Sequence, residues 1–342
     1  MKFRNGAIHL VLSLLIALAA LPASATFSGK NGRIAFIQGP DIYTMNPDGS
    51  DVRQLTDLGP DDFAAWESWS PDGKQIVFNE YHAPTFLGEL WLMNPDGSNK
   101  HPLLAEDDFD NERPSFTPDG TSVVFSRCRL DIEACGLHQI GVNGTGLTAI
   151  TKFSLGIQDL SAQHSPVGNP IAFTGVARGG IICAIYLTKS AWPKLPPLTP
   201  ASLSARQPDW SPDGTKIAFS THCRNPQNEE IWTVDSKGGV LQRLTTNGHE
   251  YFAGPHDFHP SWSPEGNAIV FERDAPDFSS FGIFIMKPNG SGSQKLLEVK
   301  TSARRSIQRI RELHKHDNRA LNRRLKQIED GGAMPRWGVA PI

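Results

Sequence analysis

The chain has 342 residues, 39% hydrophobic and 20% charged, with a formal net charge of −3. That composition suits a water-soluble globular chain of one large or two ordinary domains. It excludes a low-complexity disordered protein and argues against bulk binding to nucleic acid.

At the N-terminus, Lys2 and Arg4 precede an apolar run from Leu10 to Leu21, and Ala23, Ser24 and Ala25 form an A-x-A pattern. This predicts a secretory signal peptide over 1–25, too short and too early for a membrane span. The mature chain is expected to start near Thr26, in the periplasm or outside the cell. In that oxidising compartment four cysteines without a C-x-x-C element predict disulfides rather than a zinc site. The expected pairs are Cys128 with Cys135, across a strand-loop-strand, and Cys183 with Cys223.

One motif recurs along the rest of the chain: SWSPDGKQIVF from Ser68, SFTPDGTSVVF from Ser115, QHSPVGNPIAF from Gln163, DWSPDGTKIAF from Asp209 and SWSPEGNAIVF from Ser261. The copies start 47, 48, 46 and 52 residues apart. A second turn motif alternates with them: NPDGS at Asn46 and Asn94, VNGTG at Val142, SKGG at Ser236 and KPNGS at Lys287. Ser/Asn, Pro, Asp, Gly in that order suits a type I turn, and the flanking runs rich in Ile, Val, Phe and Trp read as strands. Four short strands per repeat make a propeller blade, which packs on its neighbours because it cannot bury both faces alone. The aromatics Trp69, Phe116, Trp210 and Trp262 are expected between blades. His164 takes that position in the least regular copy, as inner-strand drift or as a channel-facing side chain.

Met334–Gly338 repeats the Pro-x-aromatic pattern of an inner strand, whereas Asn31–Phe36 and Asp41–Asn46 read as second and third strands without a first. Joined, they complete a sixth blade with Trp337 beside Ile34 and Phe36; Phe27 is the rival for that slot. The segment 301–333 lacks Pro, ends in Gly331-Gly332 and reads as a helix. From 301 to 330 it carries nine Lys/Arg against four Asp/Glu. The expected architecture is all-β: a six-bladed β-propeller over 26–300 and 334–342, closed by terminal strands sharing one blade, with a basic helical insertion over 301–333.

The S-P-D-G copies, the NPDGS turns and the closing P-x-W-G resemble the repeats of TolB-like propellers, which also precede the catalytic domains of prolyl-oligopeptidase-type peptidases. The resemblance covers the propeller only, because the strands start too soon for the α/β domain that precedes it in TolB. No G-x-S-x-G elbow is present. It implies a propeller that binds or gates and does not itself catalyse.

The loops entering the inner strands are acidic, with Asp57, Asp61, Asp62 and Glu67 in the first, Glu106, Asp107, Asp108, Asp110 and Glu112 in the second, and Glu250 and Asp257 in the fifth. Asp61, Asp62, Asp108, Asp110, Glu112, His256 and His259 are the candidate ligand-binding residues, for a protein or peptide partner at an acidic channel mouth. No catalytic residue and no cofactor are expected. Alternation of Asp108, Asp110 and Glu112 leaves a Ca²⁺ site open, and His249, His256 and His259 are the transition-metal candidates, though their spacing matches no zinc signature. The basic helix is expected as a lid or second contact, and the chain as a monomer that neither spans a membrane nor binds nucleic acid. The alternative is a glycan-active lyase or hydrolase using mouth carboxylates.

Overall fold

A computed structural model describes residues 27–340 apart from 60, 107, 130, 133, 178–182, 189–195, 222–228, 247–253, 276–279 and 301–335. The signal peptide expected over 1–25 and the helix expected over 301–333 lie outside the described residues.

The turn motif organises each hairpin. In the first copy Ser70 Oγ donates to Asp72 Oδ1 (2.7 Å) and accepts from the Gln75 amide (2.9 Å), while Gly73 takes a φ of 67°, which a side chain would resist. Thr117 with Asp119 and Ser211 with Asp213 repeat the hydroxyl-to-carboxylate bond at 2.6 Å. Where Val167 replaces the Asp, Ser165 Oγ turns to the Val167 carbonyl instead (2.7 Å).

These hairpins build five sheets. The first contains β1 (Asn31–Gln38), β2 (Asp41–Met45) and β3 (Arg53–Gln54). The second is β4 (Phe63–Trp69), β5 (Ile76–Tyr81), β6 (Gly88–Met93) and β7 (His101–Leu104). Next come β8 (Asp110–Phe116), β9 (Ser122–Arg129), β10 (Ala134–Gly141) and β11 (Thr148–Ala149), then β12 (Gln158–His164), β13 (Ile171–Val176) and β14 (Cys183–Leu187). The last two sheets are β15 (Ala205–Trp210), β16 (Lys216–Thr221), β17 (Ile231–Asp235), β18 (Leu241–Arg243), and β19 (His256–Trp262), β20 (Ile269–Asp274), β21 (Ser280–Met286), β22 (Gln294–Lys300). The final strand, β23 (Arg336–Val339), joins the first sheet in the order β23-β1-β2-β3.

The expectation of six four-stranded blades with a helical insertion is corrected by this topology. Four sheets are four-stranded blades, but β8 to β14 run on as one seven-stranded sheet, in which β12 lies parallel to β10 at Cys135↔Gln158. The physical reason is β11, which pairs only at His138↔Ala149 and Gln139↔Thr148 and leaves the Cys135 edge of β10 open to Gln158. Among the described residues there is no α-helix; the helical content is one 3-10 turn at Ala201–Leu203.

Core clusters lie between consecutive units. Ala35, Ile37 and Ile42 pack with Phe63, Trp69 and Phe78 on one side of the first sheet, while Ile34, Phe36 and Met45 pack with Val270, Phe281, Ile283 and Trp337 on the other. The ring is therefore closed by its ends, and Trp337, opposite Ile34 in register, fills the slot for which Phe27 was the rival. Gly49 contributes to the same seam: a Cβ there would stand 2.6 Å from the Leu296 carbonyl of the last sheet, and its φ is 84°.

Cys128 and Cys135 are bonded, a pair directly opposite in the β9–β10 register. Cys183 is also disulfide-bonded; its expected partner, Cys223, is outside the described residues. Replacing Cys128 and Cys135 by serine should cost about 2–3 kcal/mol in denaturant titration, because the bridge closes a short loop. A non-reducing peptide map should show Cys183 linked to Cys223; a free thiol at Cys223 would refute that pairing.

Candidate binding site in the channel

Each inner strand carries a bulge, between Ala65/Ser68, Glu112/Ser115, Leu160/Gln163, Arg206/Asp209 and Phe258/Ser261. At each bulge one non-glycine residue is left-handed: Trp66 (φ 58°), Arg113 (58°), Ser161 (54°), Gln207 (56°) and His259 (50°). They stand three residues before the inner-strand aromatic position and follow the repeat spacing of 47, 48, 46 and 52.

These five side chains meet. Arg113 donates from Nη1 to Ser161 Oγ (3.1 Å) and lays its guanidinium 3.9 Å from the centre of the Trp66 ring. Trp66 meets the edge of His259 at 5.7 Å, and the Gln207 amide nitrogen donates to His259 Nε2 at 2.5 Å. His259 Nδ1 donates in turn to Glu272 Oε2 at 3.0 Å. Burial, reinforced by Arg206, Arg336 and Arg113, holds the His259 pKa well below the ordinary histidine range, so the ring is neutral and this tautomer satisfies both nitrogens. The result is a side-chain ring across the channel.

Below the ring, Ser68, Ser115, Gln163, Asp209, Ser261 and Arg336 line a cavity flanked by Phe27, Trp69 and Trp337. Ser115 Oγ donates to Gln163 Oε1 (2.9 Å), and Asp209 Oδ2 accepts the Trp262 amide (2.8 Å) while Oδ1 lies 3.6 Å from Arg336. Glu67 occupies the position that Pro114, Pro208 and Pro260 hold in other repeats. It is 1% exposed, and burial pushes its pKa well above the usual carboxylate range.

The residues singled out from sequence are dispersed. Asp61 and Asp108 are exposed. Asp62 pairs with His82 (3.2 Å), buried Asp110 accepts the Gly88 amide at Oδ1 (2.9 Å), and Glu112 lies 3.7 Å from Arg113. Other loop-face carboxylates also have cationic partners, Glu106 with Arg127 at 2.7 Å and Asp257 with Arg273 at 2.6 Å. His256 pairs with Glu229 (2.8 Å); burial opposes its charging, but Glu229 prevails and its pKa is raised. His256 and His259 therefore turn to different partners, and His249 is outside the described residues. Among the described residues no three His, Cys, Asp or Glu side chains come together as a metal site, so Asp108, Asp110 and Glu112 do not form the Ca²⁺ cage left open from sequence. Trp66, Arg113, Ser161 and Gln207 were missed by sequence reasoning, although their fixed offset from the aromatic position was available as a signal.

A closed ring of sheets, antiparallel except at the β10–β12 junction, around a side-chain-lined channel defines a β-propeller. Its repeats and its fold are similar to those of TolB-like β-propellers. No family model matches the chain. It is 24% identical over 207 residues to the Tol-Pal system protein TolB of Francisella tularensis subsp. mediasiatica, an alignment covering 60% of this chain and 45% of that protein. It is 25% identical over 307 residues to dipeptidyl-peptidase 5 of Porphyromonas gingivalis, covering 82% and 42%. The chain thus spans less than half the length of these curated relatives. Among solved structures, TolB from Acinetobacter baumannii superposes with a TM-score of 0.63 at 18% identity, covering 90% of this chain and 67% of that one. A putative TolB from Agrobacterium tumefaciens gives 0.61 at 19%, covering 79% and 90%. At these identities the solved structures establish the fold alone. No helix among the described residues is long and apolar enough to cross a membrane.

Proposed function

We propose that this chain is a non-catalytic binding propeller, exported to the periplasm or beyond, that takes a protein or peptide partner at the channel mouth on the loop face. The observation that carries this reading is the side-chain ring. A left-handed L-residue costs roughly 1–2 kcal/mol, and glycine would remove that cost at all five bulges. Instead the scaffold positions repeat while the bulge positions hold five different side chains, as a recognition surface requires. The tight turns gather on the opposite face, leaving the longer loops, with exposed Asp61 and Asp108, to form the rim. Bonded Cys128, Cys135 and Cys183 support an oxidising compartment.

The immobilised chain, incubated with envelope extract of its source organism, should retain a discrete partner that the Asp61→Lys/Asp108→Lys variant loses and a Lys237→Glu variant, altered on the turn face, keeps. Capture indifferent to the rim reversal, or lost equally on the turn face, would remove the mouth as the binding site.

A further inference from the structure

Inside the acidic rim three arginines come close to the channel. Arg206 stands one residue before a ring position, Arg113 occupies one, and Arg336 lies deeper beside Asp209. The first two are joined through the ring. The guanidinium of Arg206 is 5.4 Å from the centre of Phe258, Phe258 is 6.0 Å from His259, and His259 is 5.7 Å from Trp66, on which Arg113 is stacked. Arg113, Arg206 and Leu160 retain partial exposure.

The neighbouring carboxylates leave donor capacity on Arg113. Glu112 is 3.7 Å from Arg113 Nε, beyond hydrogen-bonding range, and that nitrogen has no hydrogen-bond partner among the described residues. Glu272 contacts His259, Glu229 contacts His256 and Asp209 lies near Arg336, among other partners. Burial pushes the Glu67 carboxyl well above the usual carboxylate range. Burial lowers the His259 pKa most, and the guanidinium groups of Arg206, Arg336 and Arg113, all near this ring, lower it further.

We infer that the throat between Arg113 and Arg206 is a carboxylate-binding subsite that receives one acidic side chain of a peptide whose flanking basic residues contact the rim. Guanidinium donors on a carboxylate in a partly desolvated site form the stronger class of hydrogen bond, and Leu160 and Phe258 give the acidic side chain's methylenes an apolar wall. The inference rests on the proposed mouth and adds the chemistry that the throat selects.

The probe is a fluorescent peptide, Lys-Lys-Gly-Glu-Gly-Lys-Lys, compared by anisotropy with the same peptide carrying Gln for Glu. The Glu peptide should bind at least tenfold tighter, and Arg113→Ala or Arg206→Ala should abolish the difference. Arg206→Lys, on a partly exposed side chain, keeps the charge and should retain part of the preference, which separates loss of the subsite from loss of the fold. Asp61→Lys/Asp108→Lys should weaken both peptides alike. Equal affinity for the two peptides, no measurable binding of the Glu peptide at millimolar concentration, or a Glu preference that survives both alanine variants would overturn the subsite. A Glu preference with no response to rim reversal would uphold the subsite while refuting the rim.

Discussion

Removing residues 335–342 should lower the stability of the propeller by at least about 5 kcal/mol, far more than trimming an ordinary tail. Trp337 is 7% exposed and packs in the cluster between the first and last sheets, and truncating such an aromatic costs about 3–5 kcal/mol by itself. The deletion also takes away Val339, the Ala340 amide bond to the Lys30 carbonyl (2.9 Å) and the pairing of Ile34 and Ala35. What remains is a first sheet with an open inner edge and two apolar seams exposed to water. For a chain of this size the melting temperature should fall by more than about 10 °C. Trp337→Ala should reproduce most of the loss, whereas an unchanged melting temperature in the truncation would show that the ring does not depend on its C-terminal strand.

Asp159→Asn should stabilise the protein at neutral pH and leave it nearly unchanged near pH 4. Asp159 is 0% exposed, and burial pushes its pKa up to about 6 despite the hydrogen bond from Thr151 Oγ1 to Oδ2 (2.7 Å). The Thr151 hydroxyl also accepts the Leu137 amide (2.8 Å), so its proton is committed to Asp159, and an asparagine carbonyl can accept it equally. The sign follows from the raised value: the folded state prefers the protonated acid. Stability is therefore complete below the unfolded pKa near 4 and is lost as pH rises toward 6. A shift of about two units corresponds to an upper limit of about 3 kcal/mol. Urea titrations at pH 4 and pH 8 should show the variant gaining only at the higher pH. An equal gain at both would assign the effect to packing rather than charge.

The candidate site was less legible than the scaffold. Carboxylates attract notice in a sequence, but Asp62 and Asp257 are engaged by His82, just after β5, and Arg273, on β20. His259 was noticed for its place in a histidine-rich stretch, and its neutrality and position in the ring come from Gln207, Glu272 and Trp66. Such convergence is decided by the bulges, which leave the alternation of a strand intact on either side and so have no hydrophobic period of their own.

The sequence by itself determined the hairpins, because Ser-Pro-Asp-Gly and Asn-Pro-Asp-Gly satisfy their turns with bonds inside each motif, and determined which strands pair at the closure, because Trp337 repeats an inner-strand pattern and Asn31–Phe36 a second-strand one. Only the tertiary structure decided that β12 would continue the sheet of β10, since that depends on how far β11 covers a shared edge. It alone also brought Arg113, Arg206, Trp66 and His259 to one channel from positions up to 193 residues apart. Local turn chemistry is encoded within a few residues, whereas sheet edges and channel contacts depend on segments that meet only when the ring closes.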